Sequence, residues 1–557
     1  MRLHRDGRFP PSRKLTVCFL LLAASEAAGQ TSLERPDFAI PRYHELAADT
    51  VRTAVGTIPH AADHVRWVRR ADLGPLTQPG LTAGLTARDL DGDGDVDLYV
   101  ARKTFLAPRN GAEESARAHD GSPLPGSAIV WNEGQGRWRS VPSPTGASSV
   151  AAHEWADLDL DGDLDLVALT RGSAAGGHRV EVWRHEDRAF TAWPVDSRVA
   201  SILAVARAFT VGDVDGDGIL DPVVAAGADA LRLTGDPMEL ADRIPFGDED
   251  LPPRVALQLL DLGGDGRTEI VVHDVDPFWG RRDAAFVIET DGVVRREDGP
   301  LAMPLLSAPS RADVDGDGRL DLFFGQSDYF GGRNTLLLAT DAGFVPRRRE
   351  SGLFAGYAYT NGAVWADLDH DGRLDLFQPR YAAASRPIRS ELFVQLAPGS
   401  DGPRFGALRG AADPGVVGAS RAAVWFDLEG DGDLDLLVGR VLDYSESSSW
   451  ESTRDLVFEN VSTVGSWLQV DLAAAARTVR GTRVDVHAGG DVFTRFVGEG
   501  GTEGRSANPL CLHFGLGGAR RVDRIEVHWP DGTRETWPGG PVDRRVRLRA
   551  GTAPGGR

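Results

Sequence analysis

Apolar residues in this chain come in short bursts, and seven of those bursts follow the same polar loop. The segments read ARDLDGDGDVDLYV from Ala87, WADLDLDGDLDLVA from Trp155, VGDVDGDGILDPVV from Val211 and LLDLGGDGRTEIVV from Leu259. They continue as RADVDGDGRLDLFF from Arg311, WADLDHDGRLDLFQ from Trp365 and WFDLEGDGDLDLLV from Trp425. Residues after each loop alternate or run apolar, as in Leu322-Phe323-Phe324 and Leu436-Leu437-Val438, which predicts strands. The first Asp of each loop falls at Asp89, Asp157, Asp213, Asp261, Asp313, Asp367 and Asp427, a mean period of about 56 residues. That is the length of one four-stranded unit with generous loops. Ile129–Trp138, Thr335–Phe344 and Leu392–Phe405 each read as strand, polar turn and aromatic, the hairpins that complete such units. From about 180 to 300 this second pattern is weak.

The repeat predicts an all-β chain: a seven-bladed β-propeller over 61–460, then a small β-sandwich-like domain over 461–551 and a tail at 552–557. In the second domain, Trp467–Leu472, Thr482–Gly489, Leu510–Gly517 and Val522–Gly532 read as short strands closed by turns. The polar segment Asn460–Ser466 reads as a linker. A chain ending near Asn460 is therefore expected to fold and to bind metal, the C-terminal domain docking without completing the ring. The last strand of the ring is open to supply from either terminus.

Each loop has the form D-x-D-x-D-G-x-x-D. Positions 1, 3, 5 and 9 offer carboxylates, position 7 a backbone carbonyl, and glycine at position 6 the sharp turn that converges them. The ligand sets are Asp89, Asp91, Asp93, Asp97; Asp157, Asp159, Asp161, Asp165; Asp213, Asp215, Asp217, Asp221; and Asp261, Asp265, Glu269. The last three are Asp313, Asp315, Asp317, Asp321; Asp367, Asp369, Asp371, Asp375; and Asp427, Glu429, Asp431, Asp435. All-oxygen cages of this charge select a hard cation, so up to seven Ca2+ ions are expected, and the lack of His or Cys ligands argues against zinc there. An EF-hand would need an acid at position 12, where Val100, Ala168, Val224, Val272, Phe324, Gln378 and Val438 stand instead. The loop at Asp261 is expected to be weakest, because Gly263 removes the position-3 carboxylate and Glu269 lengthens the arm at position 9.

Charge sharpens this picture. The loops hold 30 of the chain's 82 acidic residues, and the formal net charge is −21, which disfavours nucleic acid as a partner. The basic leader Arg2 to Lys14, the apolar run Leu15 to Ala24 and the small residues Ala27-Ala28-Gly29 read as a signal peptide over 1–29, with an N-terminal segment at 30–60. No run approaches the length of a membrane span. Cleavage would remove Cys18 and leave Cys511 alone, so bound metal rather than a disulfide is expected to brace the exported chain. His153-Glu154 and His273-Asp274, adjacent on strands, read as structural pairs. Trp155, Trp365 and Trp425 read as core between blades, although such rings also stack on sugars. His513 reads as a packed or capping residue, and no catalytic motif appears in a supporting context.

These loops resemble FG-GAP or VCBS repeats of the integrin α type, and the C-terminal block, with H-F-G-L-G at His513 and W-P-D-G at Trp529, resembles the ASPIC/UnbV domain. The resemblance implies that each calcium loop joins two strands of one blade and that seven copies close a ring. After Leu472 the run Ala473 to Ala476 departs from that pattern, as does Gly500-Gly501-Thr502-Glu503. The expected function is a secreted, periplasmic or cell-surface adhesion or recognition module for protein or glycan. The alternative is a carbohydrate-active enzyme, a lyase or dehydratase, on a calcium-stabilised propeller. Binding is preferred to catalysis, because no catalytic constellation is visible.

Overall fold

A computed structural model describes residues 65–554 apart from 72, 105–124, 172–177, 246–254, 263–267, 275–284, 290–293, 298, 302–307, 326–333, 348–350, 354–358, 361, 382–388, 400–401, 410–412, 442–452, 463–464, 475–477 and 503. The expected leader and N-terminal segment, like positions 3 to 7 of the loop at Asp261, lie outside the described residues. Among the described residues, no helix is long and apolar enough to cross a membrane.

Each Asp loop joins the first two strands of a separate antiparallel sheet. The loop at Asp89 links Thr82–Arg88 to Asp97–Arg102, that at Asp157 links Ser149–Ala156 to Asp165–Arg171, and that at Asp213 links Ala208–Gly212 to Asp221–Ala226. The succession continues with Val255–Leu260 to Glu269–Asp274, Ser310–Ala312 to Asp321–Phe324, Val364–Ala366 to Asp375–Gln378 and Ser420–Phe426 to Asp435–Arg440. Each sheet adds two further strands, as the strand–turn–aromatic pattern predicts. Ala128–Asn132 and Trp138–Pro142 do this in the first sheet, and Thr335–Thr340 and Gly343–Arg347 in the fifth.

Both faces of these sheets are apolar, so each must be covered by its neighbours. Successive sheets share apolar clusters, and one of them joins Leu85, Val100 and Val130 of the first sheet to Val424, Leu437 and Val457 of the last. The succession therefore closes on itself in the manner of a propeller. Trp155, Trp365 and Trp425 are buried core, as their positions suggest. Trp365 Nε1 donates to Ser310 Oγ at 3.0 Å and Trp425 Nε1 to Val364 O at 3.2 Å, tying each blade to the one before it.

The missing strand of the last sheet comes from the N-terminal side. Trp67–Arg70 runs antiparallel to Leu456–Asn460, pairing Trp67 with Asn460 and Arg70 with Val457. Closure thus joins sequence-distant strands by backbone hydrogen bonds.

The C-terminal domain is a two-sheet sandwich. Ser466–Ala473 lies between Leu512–Gly517 and Arg544–Arg549, and the facing sheet orders Asp491–Phe496, Arg483–Ala488, Arg521–His528 and Arg534–Pro541. Leu468, Val470, Val484, Val486, Phe514, Ile525, Val527 and Trp529 fill the space between. Propeller and sandwich belong to one compact unit, Thr57–Arg557.

One loop of the sandwich enters the ring. Ser506–Ala507 adds a parallel strand to the free edge of Thr82–Arg88. Leu85 N donates to Arg505 O at 2.7 Å and His153 N to Gly504 O at 3.1 Å. Trp365 N donates to Gly500 O at 2.8 Å, Ala363 N to Thr502 Oγ1 at 2.9 Å and Trp425 N to Asn508 Oδ1 at 3.1 Å. First strands of a propeller line its axis, so this single loop fills the axis and satisfies inner-edge amides that would otherwise lack partners. Gly500–Asn508, whose first four residues depart from the resembled domain, is thus an internal plug.

Candidate metal centres

Glycine at position 6 is dictated by backbone conformation. Gly94, Gly162, Gly218, Gly318, Gly372 and Gly432 have φ between +84° and +102°, and the amide of each donates to a carboxylate oxygen at position 1, at 2.9–3.2 Å. Position 4 is left-handed too, a requirement the motif hides because Leu160 and His370 occupy it in two loops. The position-5 carboxylates of Asp93, Asp161, Asp217, Asp317, Asp371 and Asp431 cap the position-7 amide.

The position-9 acid is the anchor. Asp97, Asp165, Asp321, Asp375 and Asp435 each accept from the position-2 amide with one oxygen and from an amide of the third strand with the other. Asp97, for example, accepts from Leu90 N at 3.0 Å and Asn132 N at 2.8 Å. Glu269 keeps the first of these bonds, from Leu262 N at 2.8 Å. The loop is therefore held against its own blade whatever else it does.

Positions 1, 3 and 9 converge in the loops at Asp89, Asp157 and Asp313. Asp89, Asp91 and Asp97 bring ligand atoms within 4.8 Å of one another, as do Asp157, Asp159 and Asp165, and Asp313, Asp315 and Asp321. In the third loop the converging set is Asp213, Asp215 and Asp217. A fit to a cation shows in the oxygens left over. Oδ1 of Asp89, Asp157, Asp313 and Asp367, and Oδ1 of Asp369, are buried without a hydrogen-bond partner. An orphaned buried carboxylate oxygen is costly, and a hard cation is the group that best satisfies several at once.

Protonation carries the same signature. Burial, then the neighbouring Asp93 charge, pushes Asp89 up to about 6, and burial pushes Asp97 up to about 7. Burial raises Asp313 to about 7 and Asp321 to about 8, and drives Asp367 and Asp375 well above the usual carboxylate range. A bound divalent ion would reverse the sign of that local balance.

The sites are unequal in ways sequence did not reveal. Arg232, on the third strand of its blade, bridges Asp215 at 2.5 Å and Asp221 at 2.9 Å, and both oxygens of Asp213 are taken by Gly216 N and Gly218 N. A guanidinium there supplies the charge an ion would bring. Replacing Arg232 with Ala is expected to add about one calcium to the stoichiometry measured by calorimetry, and an unchanged count would show that this loop is not blocked. Asp261 is exposed whereas Asp313 is buried. Asp261→Asn is accordingly expected to cost less calcium-dependent stability than Asp313→Asn, and the reverse order by calorimetry would overturn the ranking.

The sandwich reads the loops directly. Its donors reach the position-6 carbonyls of five of them: Arg545 Nη1 to Gly94 O at 2.6 Å, Thr478 N to Gly218 O at 3.1 Å, Arg483 Nη1 to Gly318 O at 3.5 Å, Arg495 Nη2 to Gly372 O at 3.3 Å and His513 Nε2 to Gly432 O at 2.9 Å. His513 is thus a capping residue, as its position suggested. Gln469 Nε2 and Gly515 N bond the position-1 carboxylates of Asp427 and Asp367, at 2.9 and 3.0 Å. A Cβ on Gly432 would lie 1.9 Å from the Trp467 ring, whereas one on Gly430 meets nothing within 4 Å. Gly432→Ala is therefore expected to destabilise by roughly 2–3 kcal/mol and Gly430→Ala by about 1. Equal effects in thermal melts would remove the docking argument.

Residues 313–377 match the FG-GAP-like repeat family, and residues 473–555 match ASPIC and UnbV. No curated protein matches the chain. Among solved structures, exotype rhamnogalacturonan lyase YesX aligns at 15% identity and a TM-score of 0.36, over 70% of this chain and 64% of that one. The V. cholerae biofilm matrix protein Bap1 aligns at 13% and 0.34 over 72% and 91%, and BBS1N, solved in complex with ARL6DN, at 11% and 0.37 over 72% and 98%. This chain thus spans less than two thirds of the lyase. The matched domains and the sheet topology make the chain a propeller-type module.

Proposed function

We propose that the protein is an exported recognition or adhesion module in which calcium is architectural, holding the propeller loops in the shape the C-terminal domain docks on. The observation that supports this most is the set of hydrogen bonds from the sandwich to the loop glycines. They engage one face of the Asp loops in domain docking, while the plug fills the axis where a propeller could otherwise gather catalytic groups. Ligand binding is left to other surfaces. One is a cleft of about 990 Å3 between the first and last blades and the sandwich, lined by Trp138, Trp467, Asp95, Glu429 and Arg544. Aromatic faces beside carboxylates and a guanidinium suit a polar partner, a glycan or a peptide.

A second reading, a carbohydrate-active enzyme, is favoured by Glu429. Burial, then the adjoining Glu459, raises it to about 7 in that cleft when its loop holds no ion, the range of a general acid, so this reading requires the Asp427 loop to stay empty. Glycan and peptide arrays probed with calcium-loaded full-length protein, with turnover assays in parallel, separate the two. Binding without turnover, weakened at least about tenfold by Trp138→Ala, is the expected result. Turnover abolished by Glu429→Gln would establish the enzyme instead.

A further inference from the structure

Beside the Asp313 loop, which Arg483 touches, the sandwich carries a cluster of a different kind. Strands Arg483–Ala488 and Arg521–His528 pair antiparallel, with Asp485 opposite Glu526 and Arg483 opposite His528. Val484, Val486, Ile525 and Val527 fill the core, so alternation puts Asp485, Glu526 and His528 together on the other face. Like charges directly across a strand pair are unfavourable unless something compensates them.

Arginine does part of this. Asp485 Oδ1 accepts from Arg483 Nε at 2.9 Å and Thr494 Oγ1 at 2.8 Å, and Glu526 Oε1 accepts from Arg524 Nε at 2.6 Å. The second oxygens turn toward imidazoles instead: Asp485 Oδ2 lies 3.1 Å from His528 Nε2, and Glu526 Oε2 lies 3.5 Å from His487 Nε2. His528 Nε2 is shut off from solvent yet makes no hydrogen bond. Ligand atoms of Asp485, Glu526 and His528 all fall within 4.8 Å of one another. Asp485 itself is only 4% exposed.

We propose that Asp485, Glu526 and His528 form a binding site for a divalent transition ion such as zinc, with His487 beside Glu526 at its edge. The donor set decides the metal. Imidazole nitrogen with carboxylate oxygen suits zinc and its neighbours, whereas calcium takes oxygen alone. Arg483, Arg524 and Thr494 orient the carboxylates from behind, the arrangement that tunes metal ligands elsewhere.

The test is zinc titration of the full-length protein by calorimetry, with calcium in excess to keep the Asp loops occupied. One zinc should bind in the micromolar range or tighter. His528→Gln and Glu526→Gln, both at partly exposed positions, should each weaken it at least about tenfold. Their zinc-free melting temperatures should stay near that of the parent, which separates ligation from folding. Cobalt(II) in place of zinc should give a visible absorption band that is lost in His528→Gln. No zinc binding below about 100 μM, or binding and cobalt absorption unchanged in both variants, would overturn the assignment.

Discussion

Chelating calcium at pH 8 is expected to lower the melting temperature of the full-length chain by roughly 10–20 °C, and at pH 5 by much less. The size follows from mass action. An ion at about 100 times its dissociation constant contributes roughly 2.7 kcal/mol per site, and several loops carry orphaned buried oxygens. The pH dependence follows from the sign of the shifts. Asp89, Asp97, Asp313 and Asp321 have folded-state values raised to between about 6 and about 8, above their unfolded values near 4. Without metal, the native state therefore holds more protons than the unfolded chain across that window. The stability this brings is fully present below about pH 4 and is lost as pH rises through the folded values. Calcium displaces those protons, so the loaded protein escapes the loss and binds its ions more tightly as pH rises. Melts at both pH values, with calcium or with EDTA, check this. A metal-free protein more stable at pH 8 than at pH 5 would contradict it.

The plug should matter almost as much. Replacing Gly500–Asn508 by a short Gly-Ser linker removes the partners of Leu85 N, His153 N, Ala363 N, Trp365 N and Trp425 N along the axis. At about 1 kcal/mol for each bond lost, more where water cannot replace it, the variant should lose roughly 5 kcal/mol and melt about 10 °C lower. A chain ending near Asn460 should fare worse, because it also loses the donors on the loop glycines and exposes the surface they cover. That reverses the expectation drawn from the polar linker, which treated 61–460 as self-sufficient. A plug-free protein with unchanged melting would restore the earlier view.

Much of this was readable in one dimension because it depends on local chemistry. The loop motif sets its own backbone: acids at positions 1, 5 and 9 cap amides within a few residues, glycine takes the left-handed turn, and apolar runs on either side become strands. Period and count then follow from repetition, and Trp155, Trp365 and Trp425 recur because the same inter-blade space recurs. What the linear pattern left open was long-range pairing. Trp67–Arg70 closes the last sheet by backbone hydrogen bonds, which any strand could make and no side chain advertises. Arg232 occupies a metal loop from a neighbouring strand, and nothing near Asp213 in sequence announces it. Gly500–Asn508 is a polar loop by composition and an internal plug by location. Asp485, Glu526 and His528 converge only because two strands meet in one register, which a shift of a single residue would destroy. Local geometry is written in neighbouring residues, whereas convergence is decided by which surfaces bury one another.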